Sequence, residues 1–395
     1  MNSTGLGPVL PGATIGIVGG GQLGRMLALD ARRLGYGVAV LDPSAQAAAA
    51  PIADVHIKAA FNSADGLAEL AGRADVVTFE VEHITLDGVR QVGARCPVRP
   101  SPAVLTVCQH RGLEKTFLRD HGFPVAPWRD ADSLASLETA ARALGLPCLV
   151  KIPFAGYDGR GQARCPTLDD LPAAAALGFD RGPLIVERLI PFTAELAVIV
   201  ARGLDGAQRT YPVAHTVHDE GILVAVSVPA AIPPAVAERA RALAESIAGA
   251  LDLVGVLAVE MFMLERGEVL VNELAPRPHN SGHYTINACP TSQFEQHIRA
   301  ICGLPLGATT LLRPAAMVNL LGDRRGPARL AGIEQALKDP DVSLHLYAKA
   351  ESWPRRKLGH VTALGEGPQQ ALARARRAAA ALRWESLHAR AHLGC

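Results

Sequence analysis

The stretch GIVGGGQLGRML, residues 16–27, constrains the fold of the first hundred residues more than any other. Small or branched apolar residues run into Gly19, Gly21 and Gly24, which stand at G-x-G-x-x-G spacing, and Met26, Leu27, Leu29 and Leu34 continue in a helical pattern. A second apolar stretch, YGVAVLD, places Asp42 about 20 residues further on, where a dinucleotide-binding unit carries its ribose-binding acid. Glycine is needed wherever a backbone turns sharply or approaches a ligand closely. The fingerprint alone therefore leaves two readings open, a dinucleotide site or a plain strand-to-helix turn.

The stretches TIGIVG, YGVAVLD, ADVHIK, ADVVTFE and PVRPS alternate with helical segments up to about residue 108, the rhythm of parallel βαβ units. The prolines of RPSP, residues 99–102, close that unit. Residues 109–180 read as a helix (LEKTFLRDHG), a strand (PCLVKIP) and a glycine-rich loop. Residues 181–305 are richer in strands: PLIVERL, AELAVIVAR, ILVAVSVP, GVLAVEMFML and EVLVNEL. One helix there has Val236, Ala240, Leu243, Ile247 and Leu251 on a single face; another starts at a capping box, Ser292-x-x-Glu295, and stops at Gly303. Residues 306–395 carry the weakest signals.

A chain of 395 residues, 49% of them hydrophobic, fills about two to four domains and buries a large core. Its net charge of +1 gives no bulk attraction to nucleic acid or an anionic membrane, so neither is expected as a partner. The seven cysteines (Cys96, Cys108, Cys148, Cys165, Cys289, Cys302, Cys395) are scattered, odd in number and free of C-x-x-C pairs, which suits a reducing compartment. No stretch approaches ~18 uncharged apolar residues, and no basic segment precedes an apolar one at the start. A cytoplasmic protein without span or signal peptide is expected.

The most chemically telling pair is Glu260 and Glu273. Between them MFMLERGEVLVN is apolar on both sides of a charged, glycine-containing centre and predicts a β-hairpin. A tip symmetric about Arg266 and Gly267 sets Glu260 directly opposite Glu273, roughly 5 Å apart between Cβ atoms. Like charges so placed destabilise a sheet, and a divalent cation between them turns repulsion into binding. Asn272 adds a nearby oxygen donor. An all-oxygen site with few protein ligands favours magnesium, with manganese as a substitute.

Cations that suit phosphate lie upstream. Lys151 ends an apolar strand and needs a partner for its charge; Lys115 follows Arg111 by four residues and shares its helix face. PFAGYDGRGQ then exposes backbone N–H groups able to wrap phosphate oxygens, although an ordinary surface loop reads the same way. It does not match the G-x-x-x-x-G-K-[ST] pattern.

The order Lys115, Lys151, glycine loop, VERLIPFTAE, Glu260, NELAPRPHNSGH resembles the ATP-grasp family. Within it the chain is similar, from GGGQLGRM through TFEVEH, RPSP, GYDGRGQ and YPVAHTVHDEGIL to YAKAESWPRRKLGH, to the 5-(carboxyamino)imidazole ribonucleotide synthases, the ATPase subunits of phosphoribosylaminoimidazole carboxylase in purine biosynthesis. The resemblance implies an α/β and α+β fold. A Rossmann-like N-terminal domain spans 1–108, a small ATP-grasp subdomain 109–180, a large one with the metal hairpin 181–305, and a small C-terminal domain 306–395.

It also implies roles. Arg111, Lys115 and Lys151 contact ATP phosphates, and Gly156, Tyr157, Asp158, Gly159, Arg160, Gly161 and Gln162 close over them. Glu187, Arg188, Leu189 and Ile190 form the adenine hinge, Glu195 takes the ribose hydroxyls, and His218, Asn272 and Glu273 complete the nucleotide site. Glu260 and Glu273 hold magnesium. The implied reaction uses ATP and bicarbonate to make carboxyphosphate, then carboxylates the exocyclic amine of aminoimidazole ribonucleotide, with Arg277, Lys151 and Arg160 as catalytic cations. Tyr157, Arg160, His279, Asn280, Lys349 and Arg356 bind the ribonucleotide, Gln22 and Glu80 face the interdomain cleft, and the chain forms a homodimer. In this family the glycine fingerprint carries no NAD.

His279 and His283 stand at a zinc-like i, i+4 spacing, but Pro278 and Gly282 oppose the helix that zinc requires. Four positions depart from the family pattern. His110 stands where an aspartate is usual, Ala155 replaces a glycine, and Trp353 and Arg355 replace arginine and glycine, which weakens the C-terminal phosphate clamp or moves it to Arg355. A formate-using ATP-grasp ligase is the alternative, opposed by HNSGH; a dehydrogenase leaves Glu260, Glu273 and the glycine loop unexplained.

Overall fold

A computed structural model of the protein describes residues 7–154 and 161–384. Ala155, Gly156, Tyr157, Asp158, Gly159 and Arg160 lie outside the described residues, as does Cys395.

The N-terminal strands pair in parallel in the order Val55–Ile57, Gly37–Leu41, Thr14–Val18, Val76–Phe79. Their side chains are buried almost continuously, as in a sheet covered on both faces. The expected fifth strand, PVRPS, is reduced to a single parallel bridge between Val77 and Val98, because proline cannot donate to a ladder.

Two antiparallel sheets follow. The smaller has the order Trp128–Ala131, Leu184–Arg188, Cys148–Lys151, Gln162–Cys165. Its second strand lies beyond residue 180, so the expected boundary there falls inside the sheet. The larger sheet runs Val269–Ala275, Gly255–Met263, Ala194–Arg202, Ala214–Asp219, Ile222–Val228, Ala315–Leu321, Lys357–Leu364, Val342–Leu346, with Gln208–Thr210 added beside Ala194–Arg202. Beyond residue 306 the strands Ala315–Leu321, Lys357–Leu364 and Val342–Leu346 extend this sheet, while Gly326–Pro327 with Glu351–Ser352 and Leu330–Ala331 with Arg383–Trp384 form two small separate pairs.

The helix Gln293–Cys302 joins the N-terminal sheet to the large one. Ser292 caps it by accepting from the Glu295 N–H, and Gly303, with φ of 71°, ends it in the left-handed conformation. The reciprocal half of a capping box is missing, because the Glu295 carboxylate turns to Arg33 and Arg299. Phe294, Ile298 and Ile301 pack against Leu27, Ala31 and Tyr36. His297 binds both sides: Nε2 lies 2.7 Å from Thr78 Oγ1, and Nδ1 accepts from the Val256 N–H at 3.1 Å. The helix Pro234–Ala250 covers the large sheet with Val236, Ala240, Ala244, Ile247 and Ala248, while Leu243 sits at the edge of that face. The free thiols Cys96, Cys108, Cys148, Cys165, Cys289 and Cys302 are buried or partly buried. Among the described residues no helix is long and apolar enough to cross a membrane.

Candidate active site

The hairpin forms by a different route from the symmetric one expected. Its tip is a three-residue turn: the Leu264 N–H donates to the Glu268 carbonyl, and Gly267 adopts φ of 81°. That turn shifts the pairing by one, so Met261 faces Val271 and Met263 faces Val269. A bulge between Glu260 and Met261, with Asn272 as the extra residue, shifts it back and sets Glu260 opposite Glu273. Without the bulge every side chain toward the strand ends would change face.

Three carboxylates share one face of this sheet. Glu260 is opposite Glu273 and also opposite Ala197 of the next strand, while Glu195 is opposite Phe262, so Glu195 lies diagonally from Glu260. Burial and the charge of Glu273 push the Glu260 carboxyl up to about 7. Burial also opposes the charge on Glu273, but Arg111, whose Nη1 lies 3.2 Å from its Oε2, and Lys151 hold that carboxyl below its ordinary value. His218 Nδ1 lies 2.9 Å from Glu195 Oε2; burial works against its charge, but this bond and the fields of Glu260 and Glu273 keep the imidazole above its usual value.

Beside the carboxylates lies a cluster of opposite sign. The helix Arg111–Asp120 presents Lys115, and the strand Cys148–Lys151 ends at Lys151. Both ammonium groups reach the buried Glu187 carboxylate, Lys115 at 3.2 Å and Lys151 at 2.9 Å. Burial opposes the Glu187 charge, but Lys115, Lys151 and Arg111 outweigh it and hold the carboxyl at about 2. Burial pulls Lys151 below its ordinary value against the attraction of Glu187. Two cations thus share one anion in a dry site, leaving a positive charge for a ligand to balance.

Glu187 was expected in a backbone hinge; the meeting of its side chain with two lysines is an addition to that expectation. Sequence spacing could not pair a residue with lysines 36 and 72 positions away. Glu114 is a second addition: its Oε2 accepts the Leu274 N–H at 2.8 Å and ties the cationic helix to the hairpin, while burial raises its carboxyl to about 8. His110 caps the same helix, Nδ1 accepting from the N–H groups of Gly112 and Leu113 at 3.0 and 3.2 Å. That is the task an aspartate performs there.

The other candidates gather on the N-terminal side. Lys349 Nζ donates to Gln22 Oε1 at 2.5 Å, and Glu80 feels Arg277 and Lys349. Arg277 Nε lies 2.8 Å from Glu82 Oε1, a partner visible in TFEVEH but not singled out beforehand. His279 Nε2 lies 3.5 Å from Glu260 Oε1. Burial, reinforced by Arg277 and Lys357, holds that imidazole far below its usual value, so it is neutral. Residues 280–282 form one 3-10 turn rather than an α-helix.

Three placements differ from expectation. Asn280 is buried in a reciprocal amide pair with Asn319, at 3.1 and 2.6 Å. Arg356 stacks 3.6 Å over the Trp353 ring and donates to the Glu351 carbonyl, so Trp353 holds this cation in place. Arg355 pairs with Asp219 and Glu220.

The Gly19–Gly24 turn is already occupied by the chain itself. Glu80 accepts the N–H groups of Gly21 and, at 2.5 Å, Gly24, and a Cβ on Gly21 would sit 2.6 Å from its Oε1. Asp42 accepts the Gly20 N–H at 2.8 Å. Both halves of a dinucleotide site are satisfied internally. Burial raises the Glu80 carboxyl, although Gly24, Gly21, Arg277 and Lys349 counteract it.

An anion-seeking cluster beside facing carboxylates, set between two antiparallel sheets, defines a nucleotide-phosphate ligase of the ATP-grasp class. Three domain families match in series: ribonucleotide synthetase preATP-grasp domain over residues 12–109, ATP-grasp domain over 116–294, and phosphoribosylaminoimidazole carboxylase C-terminal domain over 315–374. N5-carboxyaminoimidazole ribonucleotide synthase of Brucella melitensis is 45% identical over 353 residues, covering 89% of this chain and 96% of that protein. The crystal structure of an ADP complex of N5-carboxyaminoimidazole ribonucleotide synthetase superposes with a TM-score of 0.87 at 42% identity, over 94% of this chain and 97% of that one. The Aspergillus clavatus synthase in complex with ADP and 5-aminoimidazole ribonucleotide gives 0.85 at 34% identity, over 93% and 98%. The chain belongs to the N5-carboxyaminoimidazole ribonucleotide synthase family of ATP-grasp ligases.

Proposed function

We propose that this protein carboxylates the exocyclic amine of 5-aminoimidazole ribonucleotide, consuming ATP and bicarbonate and releasing ADP and phosphate, in purine biosynthesis. The observation that carries the reading is the pairing of the Lys115–Glu187–Lys151 cluster, one cation in excess, with the facing carboxylates Glu260 and Glu273. A triphosphate suits the first and a divalent cation the second.

The donor set fits magnesium, or manganese in its place. Oxygen ligands face one another, and burial together with the charge of Glu273 lifts Glu260 to about 7, a repulsion that a divalent cation between them would relieve. Glu260 and Glu273 would hold the ion, with Asn272 beside them in the bulge. Bound there, the metal screens charge on the phosphoryl oxygens.

Lys151, Lys115 and Arg111 attract the phosphates, and the loop from Gly156 to Gln162, including Tyr157, Asp158, Gly159 and Arg160, covers them. Residues 187–190 frame the adenine, Glu195 takes the ribose, and His218 fixes Glu195. Bicarbonate oxygen attacks the γ-phosphorus, ADP leaves, and the resulting mixed anhydride carries the activated carbon. Arg277, with Lys151 and Arg160, stabilises the charge that develops during that transfer. The amine then attacks the carbon, phosphate leaves, and the amine gives up a proton. Gln22, Glu80, His279, Asn280, Lys349 and Arg356 border the ribonucleotide. A homodimer completes the reading, in the cytoplasm, where a reducing environment suits the free thiols.

ADP release tests it. Turnover should need magnesium and bicarbonate and rise strongly when 5-aminoimidazole ribonucleotide is added. Equal turnover with formate would assign the other ATP-grasp ligase instead.

A further inference from the structure

Gln293 is fully buried at the first position of the helix Gln293–Cys302, an uncommon place for a polar side chain with no water contact. Its Oε1 accepts the His279 N–H at 2.9 Å, and its Nε2 donates to the His279 carbonyl at 2.7 Å. A backbone N–H must donate and a carbonyl must accept, so these two bonds fix which end of the amide is which. Nε2 therefore donates also to His283 Nδ1, 3.1 Å away, which places the His283 proton on Nε2. The Gln293 N–H in turn is held by Thr285 Oγ1 at 2.9 Å. A Cβ at Gly282 would run into the amide, 2.7 Å from its Cδ, so the backbone of HNSGH passes directly over this side chain.

The clamp bears on the site through His279. Ser281 holds His279 Nδ1 through its N–H at 3.3 Å and its Oγ at 2.9 Å, which turns the other ring nitrogen, Nε2, to within 3.5 Å of Glu260 Oε1. We infer that Gln293 is a positioning residue: its amide grips the His279 backbone in both directions, as a strand partner would, and so sets where the His279 imidazole meets Glu260 and the ribonucleotide. The inference rests on the proposed place of His279 in the ribonucleotide site.

Steady-state kinetics of the full chain test it with three variants. His279→Ala should raise KM for 5-aminoimidazole ribonucleotide by about tenfold or more; an unchanged KM would sink the reading of His279 itself. Gln293→Met keeps the volume and removes the clamp. It should raise the same KM by roughly five- to tenfold while KM for ATP moves less than about twofold. Gly282→Ala displaces the amide without removing it and should give the same selective shift, should Gln293→Met fail to fold. In wild type, nitrogen NMR should show His283 protonated on Nε2, with that preference lost in Gln293→Met. If His279→Ala raises KM but both other variants leave it unchanged, or move both KM values together, Gln293 is ordinary packing and the inference is overturned.

Discussion

The turn carrying Gly19, Gly21 and Gly24 and the hairpin carrying Glu260 and Glu273 each offer a recess fit for an ion, yet their charges are settled differently. At the turn, the N–H groups that could cradle a phosphate are taken by Glu80, and Asp42 is taken by Gly20. At the hairpin, Glu195, Glu260 and Glu273 crowd one face, Arg111 and His218 pair with Glu273 and Glu195, the imidazole of His279 lies 3.5 Å from Glu260, and the Glu260 carboxyl is still driven up to about 7. A glycine-rich shape shows where a ligand could fit, whereas uncompensated charge shows where the fold awaits one. Buried groups left unbalanced cost stability, and a fold retains them where binding repays it.

The largest test removes the unbalanced charge. Glu260→Ala or Glu273→Ala should cut ADP formation by roughly a thousandfold. Circular dichroism should stay native, since each change also removes a repulsion. Glu260→Gln should raise metal-free stability by about 1 kcal/mol in urea unfolding. A loss of stability there would mean that the facing carboxylates are balanced in some other way.

The ribonucleotide side separates its two cations. Lys349→Ala should weaken apparent ribonucleotide affinity about ten- to a hundredfold, because Lys349 sits among Gln22, Glu80 and Tyr347. Arg356→Ala should weaken it by no more than about threefold, as the half-buried Arg356 is already engaged by the Trp353 ring and the Glu351 carbonyl. Equal losses would restore a shared clamp.

At the satisfied turn, Glu80→Ala strands the N–H groups of Gly21 and Gly24 and should cost about 1–3 kcal/mol of stability. NADH fluorescence should still show no tight binding, since Asp42 remains held by Gly20. A gain of micromolar NADH affinity would turn the turn into a latent dinucleotide site.

The smallest effect lies at His110. Burial lowers its pKa, and only the neutral ring can accept from Gly112 and Leu113. Its cap is therefore in full force above the unfolded value of about 6.5 and is lost as pH falls through the lower folded value. His110→Asp should stabilise by about 0.5–1 kcal/mol at neutral pH, because a carboxylate caps the helix and also favours its N-terminal dipole. It should flatten the decline below pH 6.5 in a thermal-melt series; an unaltered decline would assign it elsewhere.

Much of the fold was legible because it rests on local rules. Apolar runs marked the N-terminal strands and, further on, Leu184–Arg188, Ala194–Arg202, Ile222–Val228, Gly255–Met263 and Val269–Ala275, the i, i+4 spacing put Arg111 and Lys115 on one helix face, and Ser292 and Gly303 bounded a helix. The Glu260–Glu273 pairing was legible too, but through two cancelling shifts: a three-residue tip and a bulge at Asn272, neither of which symmetry about Arg266 and Gly267 contains.

Tertiary structure decided the rest. Glu187 meets Lys115 and Lys151, Glu80 fills the glycine turn, Asn280 pairs with Asn319, and the strand Leu184–Arg188 joins the small sheet across the expected boundary. The physical reason is the range of each interaction. Turn chemistry and hydrophobic period act over a few residues and are written in order along the chain. A buried charge takes its partner from whichever strand packing brings within reach, and sequence order holds no record of that distance.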